Sequence, residues 1–261
     1  MKDFKVAIYQ MEIITANKEA NLTKLREKVI SYQKERIDLW VVPELFTTGF
    51  AYDQFQVLAE KPDSSYTINE LISLSSEYSV GIAGSYLSQE NSKFYNIGFI
   101  ISPLKGLVYQ YKKIHLWGLE KDYFTPGINV PPPVNFDGKA IIGLSICYDL
   151  RFPEVARSLT KNGAEILITI AAWPAQRIQH FNLLAAARAI ENTCFHIAVS
   201  RIGVERTNVE VNYSGSSRII NPMGEVIASA EKKDQVLMAK LNKDMLFNTR
   251  NYIPVLKDRK L

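Results

Sequence analysis

Three residues stand where strand-like runs end: Glu44 after LWVVP, Lys113 after VYQYK and Cys147 after AIIGLSI. A carboxylate, an ammonium and a thiol are the parts acyl transfer needs, namely a proton relay, an oxyanion partner and a nucleophile. In α/β folds reacting groups collect where strands give way to loops. Cys147 is followed by YDLRFPEVAR, a turn opening a helix with Pro153 in its first turn. A thiol facing helix amides is in a setting that lowers a cysteine pKa. The same turn leaves the backbone N–H of Tyr148 available to a developing oxyanion. Each residue also has a plainer reading. Cys147 after an apolar run is a small buried hydrophobe, and its local context alone favours that. Glu44 after a proline is a surface cap, and Lys113 beside Lys112 is one of a solvated pair.

The rest of the inventory narrows the chemistry. Cys194, in NTCFHIAVS, enters an apolar strand with no turn after it and reads as structural. The histidines are His115, His180 and His196. His196 lies within a strand and reads as a core residue; His115 and His180 are at most supporting groups behind a site. Metal-ligand spacing is absent, so no zinc site is expected. G-x-S-x-G, P-loop and G-x-G-x-x-G motifs are absent too. Without a positioned histidine the base must be a carboxylate, and Glu44 is the candidate.

The positioning elements follow from periodicity. Strands are expected at 4–9, 37–42, 80–87, 94–102, 106–111, 140–146, 165–170, 195–200 and 236–241, with helices over 17–35, 68–78, 153–161 and 177–191. A Pro/Gly-rich loop spans about 125–138, and SSRIINPMGEVIASA reads as a hairpin turning at Asn221–Gly224. Strands and helices interleave without linker or repeat, which argues one layered α/β domain over 1–261, ending in a short tail from about 245.

Composition bounds the remaining classes. The 261 residues are 47% hydrophobic and 22% charged, ordinary for a globular chain that builds its own core. Two cysteines cannot form a disulfide framework, so a reducing, cytoplasmic setting is expected. The opening MKDFKVAIYQ lacks the apolar stretch of a secretory signal, and no run is long enough to span a membrane. The net charge of +4 comes from scattered residues, with KDRKL the densest cluster, so nucleic acid is not an expected partner. A mild excess of positive charge suits small anionic substrates.

Set in chain order, the segments VVPELFTTGF (41–50), YKKIHLW (111–117), LSICYDLRFPEVAR (144–157) and AAARAIEN (185–192) strongly resemble the nitrilase superfamily of carbon–nitrogen hydrolases. CYDLRFPE, AAWPAQR and ARAIEN together look most like its omega-amidase branch. The resemblance covers essentially the whole chain and implies a four-layer αββα sandwich. It implies a Glu–Lys–Cys triad: Glu44 as general base, Lys113, selected over Lys112 by K-x-H-L, on the tetrahedral intermediate, and Cys147 as nucleophile. Glu120, in the loop GLEKDYFTPG, matches a second glutamate that positions the lysine and the substrate.

The implied reaction releases ammonia from the omega-amide of 2-oxoglutaramate or 2-oxosuccinamate through a cysteine thioester, with water as co-substrate and no cofactor or metal. Such a substrate needs a carboxylate clamp, for which Arg177 is the candidate. Arg151 and Arg188 are expected to pair with acids such as Asp149, Glu154 or Glu191, and Phe46, Tyr148 and Trp173 to wall the pocket. The alternatives are an amidase for N-carbamoyl amino acids or aliphatic amides, a nitrilase, and a scaffold or regulatory subunit. The resemblance also implies a homodimer.

Overall fold

Along FKVAIYQ, Phe4, Val6 and Ile8 fall on one side and Ala7 and Tyr9 on the other, and all are buried. A strand that is apolar on both faces must lie inside a layered fold. The computed structural model, which describes residues 1–206 and 210–260, is layered accordingly. In chain order the strands are β1 Phe4–Gln10, β2 Leu39–Val41, β3 Gly81–Glu90, β4 Lys93–Ser102, β5 Gly106–Lys112, β6 Val134–Phe136 and β7 Ala140–Ile146. They continue as β8 Ile166–Ala171, β9 Phe195–Ser200, β10 Ile202–Arg206, β11 Glu210–Ser214, β12 Arg218–Ile220, β13 Val226–Ser229 and β14 Gln235–Leu241. The helices are α1 Lys18–Ser31, α2 Phe55–Leu58, α3 Tyr66–Tyr78, α4 Glu120–Tyr123, α5 Pro153–Lys161, α6 Ile178–Asn192, α7 Lys243–Tyr252 and α8 Val255–Asp258.

Two six-stranded sheets form, in the orders β14-β1-β2-β3-β4-β5 and β13-β12-β9-β8-β7-β6. Val6, Val41 and Ile8 of the first meet Leu144, Ile168 and Ile197 of the second in a core between the sheets. On the first sheet's outer face Tyr9 and Trp40 pack with Leu25 of α1 and Leu71 of α3. The second sheet's outer face carries Leu159 of α5 and Phe181 of α6. The layers are therefore αββα. Each sheet buries both faces, and only helices outside can cover the second one.

Short elements account for most differences from the sequence reading, among them the unanticipated helices α2 and α4. The loop at 125–138 includes β6, which pairs with β7 and buries Phe136; three residues are too few to show a period. The tail from 245 is largely helical: Asn242 caps α7 by accepting from Asp244 and Met245, and Leu246 is buried. The pair β10–β11 has no counterpart among the expected elements, because its burial alternates weakly and it joins neither six-stranded sheet.

β1–β2–β3 and β7–β8–β9 are parallel runs, and β5 lies parallel to β3 through the antiparallel β4. Their C-terminal ends therefore gather the segments that follow β2, β5, β7 and β8.

Candidate active site

Each chemically competent residue sits one step beyond a strand. After β2, Pro43 ends the run and Leu45 takes a left-handed conformation, φ 45°, turning the chain directly after Glu44. Glu44 is completely buried. Its Oε1 accepts from Lys113 Nζ at 2.7 Å and Asn96 Nδ2 at 2.8 Å, and its Oε2 accepts from the Ala172 amide at 2.9 Å. A buried carboxylate is tolerated when its lone pairs are used in this way. This rules out the surface-cap reading.

Lys113 directly follows β5 and is 2% exposed, so it is not a solvated lysine. Its N–H donates to Asn96 and its C=O accepts from Gly127. A Cβ on Gly127 would lie 2.2 Å from the Lys112 carbonyl, so only glycine allows that approach. Nζ donates to Glu44 and, at 2.6 Å, to Glu120 Oε1. Glu120 opens the short helix α4 rather than lying in a loop. Its Oε2 accepts from the Trp117 amide at 2.7 Å.

Cys147 begins a 3₁₀ turn, Cys147–Arg151, with φ 47°, a strained value for a residue with a side chain. The turn is locked by Asp149, whose Oδ2 accepts from the Ile146 amide at 2.9 Å and from Tyr111 Oη at 2.7 Å. His115 Nδ1 lies 2.8 Å from Asp149 Oδ1, and the ring stacks on Phe152, so His115 supports the turn. Cys147 is partly exposed, its Sγ 3.9 Å from the Ala172 carbonyl oxygen. Ala172 thus touches both Glu44 and Cys147.

Glu44, Lys113, Glu120 and Cys147 line one cavity of about 240 Å³, a volume for a small molecule. Tyr148, Trp173 and Arg177 line it as well. Trp173 is fixed by Nε1 donating to the Arg177 carbonyl, and the Arg177 guanidinium is exposed, 5.2 Å from the Trp117 ring centre. Two expectations need correction. Phe46 does not line the cavity: beyond the Leu45 turn it points to the first sheet's outer face and packs with Phe99. Arg151 makes no ion pair with Asp149 or Glu154. Its guanidinium lies 5.0 Å from the Trp173 ring centre and 5.9 Å from that of Tyr148, and it lines the cavity. Arg188 does pair with Glu191 and donates to the Leu150 carbonyl. His196 and Cys194 are buried away from the cavity, and His180 is exposed on α6.

The sequence reading missed Asn96, Glu205 and Tyr213. Asn96 was detectable as a polar residue inside the apolar run FYNIGFIIS. Glu205 and Tyr213, which line the cavity, arrive on the unanticipated β10–β11 pair.

The electrostatics follow from one cation shared by two buried anions. Burial opposes the charge on Lys113, but Glu120 and Glu44 outweigh it and hold the ammonium well above its usual pKa. Burial raises Glu120 to about 7, with Glu44 adding to the rise and Lys113 opposing it. Burial, then Glu44, pushes the Cys147 thiol well up against the pull of Lys113. The resting thiol is therefore protonated at neutral pH and needs a base.

The carbon–nitrogen hydrolase family model matches residues 5–251. A 2-oxoglutaramate amidase of Paenarthrobacter nicotinovorans is 34% identical over 273 residues, spanning 96% of this chain and 90% of that protein. A hydrolase in the agr operon of Staphylococcus aureus is 32% identical over 262 residues, covering 98% of each. The crystal structure of Saccharomyces cerevisiae Nit3, a member of branch 10 of the nitrilase superfamily, superposes with a TM-score of 0.91 at 25% identity, over 100% of this chain and 97% of that one.

Proposed function

The chain belongs to the carbon–nitrogen hydrolase family of the nitrilase superfamily, and from that premise we propose that it is an omega-amidase using Cys147 as nucleophile. The observation that carries this reading is the buried Glu44–Lys113–Glu120 array sharing a small cavity with the Cys147 thiol.

In the proposed reaction Glu44 takes the thiol proton as Sγ of Cys147 bonds to the amide carbon. The carbonyl electrons move onto oxygen, where Lys113 Nζ and the Tyr148 N–H hold the charge. Glu44 returns the proton to nitrogen, the C–N bond breaks, and ammonia leaves a thioester on Cys147. A water deprotonated by Glu44 then attacks the thioester carbon; the C–S bond breaks, and the sulfur recovers the proton from Glu44. Glu120 keeps Lys113 in place through both steps.

The substrate proposed is a small dicarboxylic 2-oxo acid monoamide, 2-oxoglutaramate or 2-oxosuccinamate. Support comes from the 2-oxoglutaramate named for the Paenarthrobacter relative and from two cationic groups on the cavity wall, Arg177 and Arg151. A guanidinium held over an indole face can still turn N–H groups toward a carboxylate, and Arg151 is also held through Nη2, 3.1 Å from His180 Nδ1. Exposed Leu183 and Ile190 on α6 favour a homodimer, and a thiol nucleophile suits the cytoplasm. The test is ammonia release from 2-oxoglutaramate compared with a nitrile and an N-carbamoyl amino acid. Faster turnover of either competitor would overturn the assignment.

A further inference from the structure

One buried carboxylate in the cavity wall has no part in the chemistry above. Glu205 is 2% exposed, and its Oε1 accepts three hydrogen bonds: from Arg201 Nη1 at 2.8 Å, the Phe50 amide at 2.9 Å and Thr15 Oγ1 at 3.2 Å. Its Oε2 accepts from Tyr213 Oη at 3.3 Å. The Arg201 guanidinium, fully buried, lies 4.7 Å from the Tyr213 ring centre. Glu205 thus joins the turn that follows Glu44, where Phe50 sits, to the strand that carries Tyr213. Tyr213 in turn bridges to Pro174, two residues past Ala172. Phe50, Pro174, Glu205 and Tyr213 all line the catalytic cavity.

Gly49 shows how closely this joint is fitted. Its φ is +60°, and a Cβ there would lie 2.2 Å from Glu205 Oε1. A side chain at 49 would therefore push the carboxylate off the Phe50 amide. Charge matters as well as shape, because Arg201 needs a compensating anion in the interior and Glu205 is the acid bonded to it.

We infer that Glu205 is a positioning residue that holds the Phe50–Tyr213 wall in register with the segments after β2 and β8, and so sets which acyl chains enter the cavity. The inference rests on the amidase reading for its consequence in turnover. It touches none of the reacting atoms in that mechanism, so it acts on fit and leaves the chemical step alone.

The test compares Glu205→Gln, Gly49→Ala and the double variant with the wild type, each first shown to be folded by circular dichroism. Two readouts are used: steady-state kinetics on 2-oxoglutaramate, and alkylation of Cys147 by iodoacetamide against the bulkier N-ethylmaleimide. The expected result is a rise in KM of about tenfold with kcat within about threefold, and a fall of about fivefold in the preference for iodoacetamide. The double variant should match the worse single one, since both loosen one joint. Unchanged KM and alkylation preference in folded variants would overturn the inference, as would losses of kcat and KM that only track the melting temperature. If Glu205→Gln does not fold, Gly49→Ala decides alone, because it keeps both charges of the ion pair. If the wild type hydrolyses no amide, the functional reading fails while the alkylation preference still decides the role of Glu205.

Discussion

Glu120 Oε1 lies 2.6 Å from Lys113 Nζ, in a site where the same ammonium also serves Glu44. Burial raises Glu120 to about 7, because the single cation, shared with Glu44, only partly offsets the loss of solvent. Between its ordinary value near 4.5 and 7 the folded protein keeps a proton that the unfolded chain releases. Its contribution to stability is therefore present below about pH 4.5 and lost as pH rises through 7. Activity should run the other way, since the ionised form grips Lys113. The profile of kcat/KM against pH should show an acidic limb near 7, absent from the residual activity of Glu120→Gln. A limb that survives in that variant would assign it to another group.

Removing the cation should hurt chemistry and fold together. Lys113→Met is expected to lower kcat by about 10²- to 10³-fold through loss of oxyanion stabilisation. It should also destabilise the protein by about 3–5 kcal/mol, because Glu44 and Glu120 are left buried without their cation. Adding Glu120→Gln should restore part of the stability and none of the rate. Urea unfolding and single-turnover kinetics separate the two effects.

The two thiols should behave oppositely. Cys147→Ala is expected to abolish turnover with the fold retained, whereas Cys194→Ala should keep most of the activity. Cys194 packs with Val155, Leu159 and Ala164, so its loss should cost about 1 kcal/mol of stability. Cys147 is partly exposed at the cavity whereas Cys194 is fully buried, so alkylation in the native state should mark Cys147 and spare Cys194. Labelling both at similar rates would contradict this.

The arginines on the cavity wall should act on binding. Arg177→Ala and Arg151→Ala are each expected to raise KM for 2-oxo acid monoamides about tenfold, with kcat nearly unchanged. Neither should alter the KM of a neutral amide such as propionamide. An equal effect on both substrates would mean that the arginines shape the cavity without reading charge.

His196 makes a separate prediction about acid. Its Nε2 lies 2.8 Å from Thr169 Oγ1 and its Nδ1 is 2.8 Å from the Ala185 carbonyl oxygen, and burial lowers its pKa to about 4. The unfolded chain binds this proton near pH 6.5 and the folded protein only near 4. Stability should therefore fall as pH drops from 6.5 to 4, by up to about 3 kcal/mol from this group. His196→Gln should flatten that part of the stability curve. An unchanged slope would place the acid sensitivity elsewhere.

Local pattern alone determined much of this protein. The apolar periods located β1, β7, β8, β9 and the main helices, because a layered α/β fold buries both faces of its central strands and leaves that record in them. The motifs around Glu44, Lys113 and Cys147 identified the family, since residue type and spacing carry that information without coordinates. Tertiary structure decided which side each residue faces and which distant residues meet. The left-handed turn at Leu45 sends Phe46 to the first sheet's outer face although it stands two positions from Glu44. Arg151 rests over aromatic rings because the 3₁₀ turn at Cys147 directs it there and not toward an acid. Asn96 reaches Glu44 across 52 residues and Glu205 reaches Phe50 across 155, through strand order and register that no short stretch of sequence specifies. Sequence windows record burial and turn chemistry; the meeting of remote polar groups depends on how the whole chain pairs its strands.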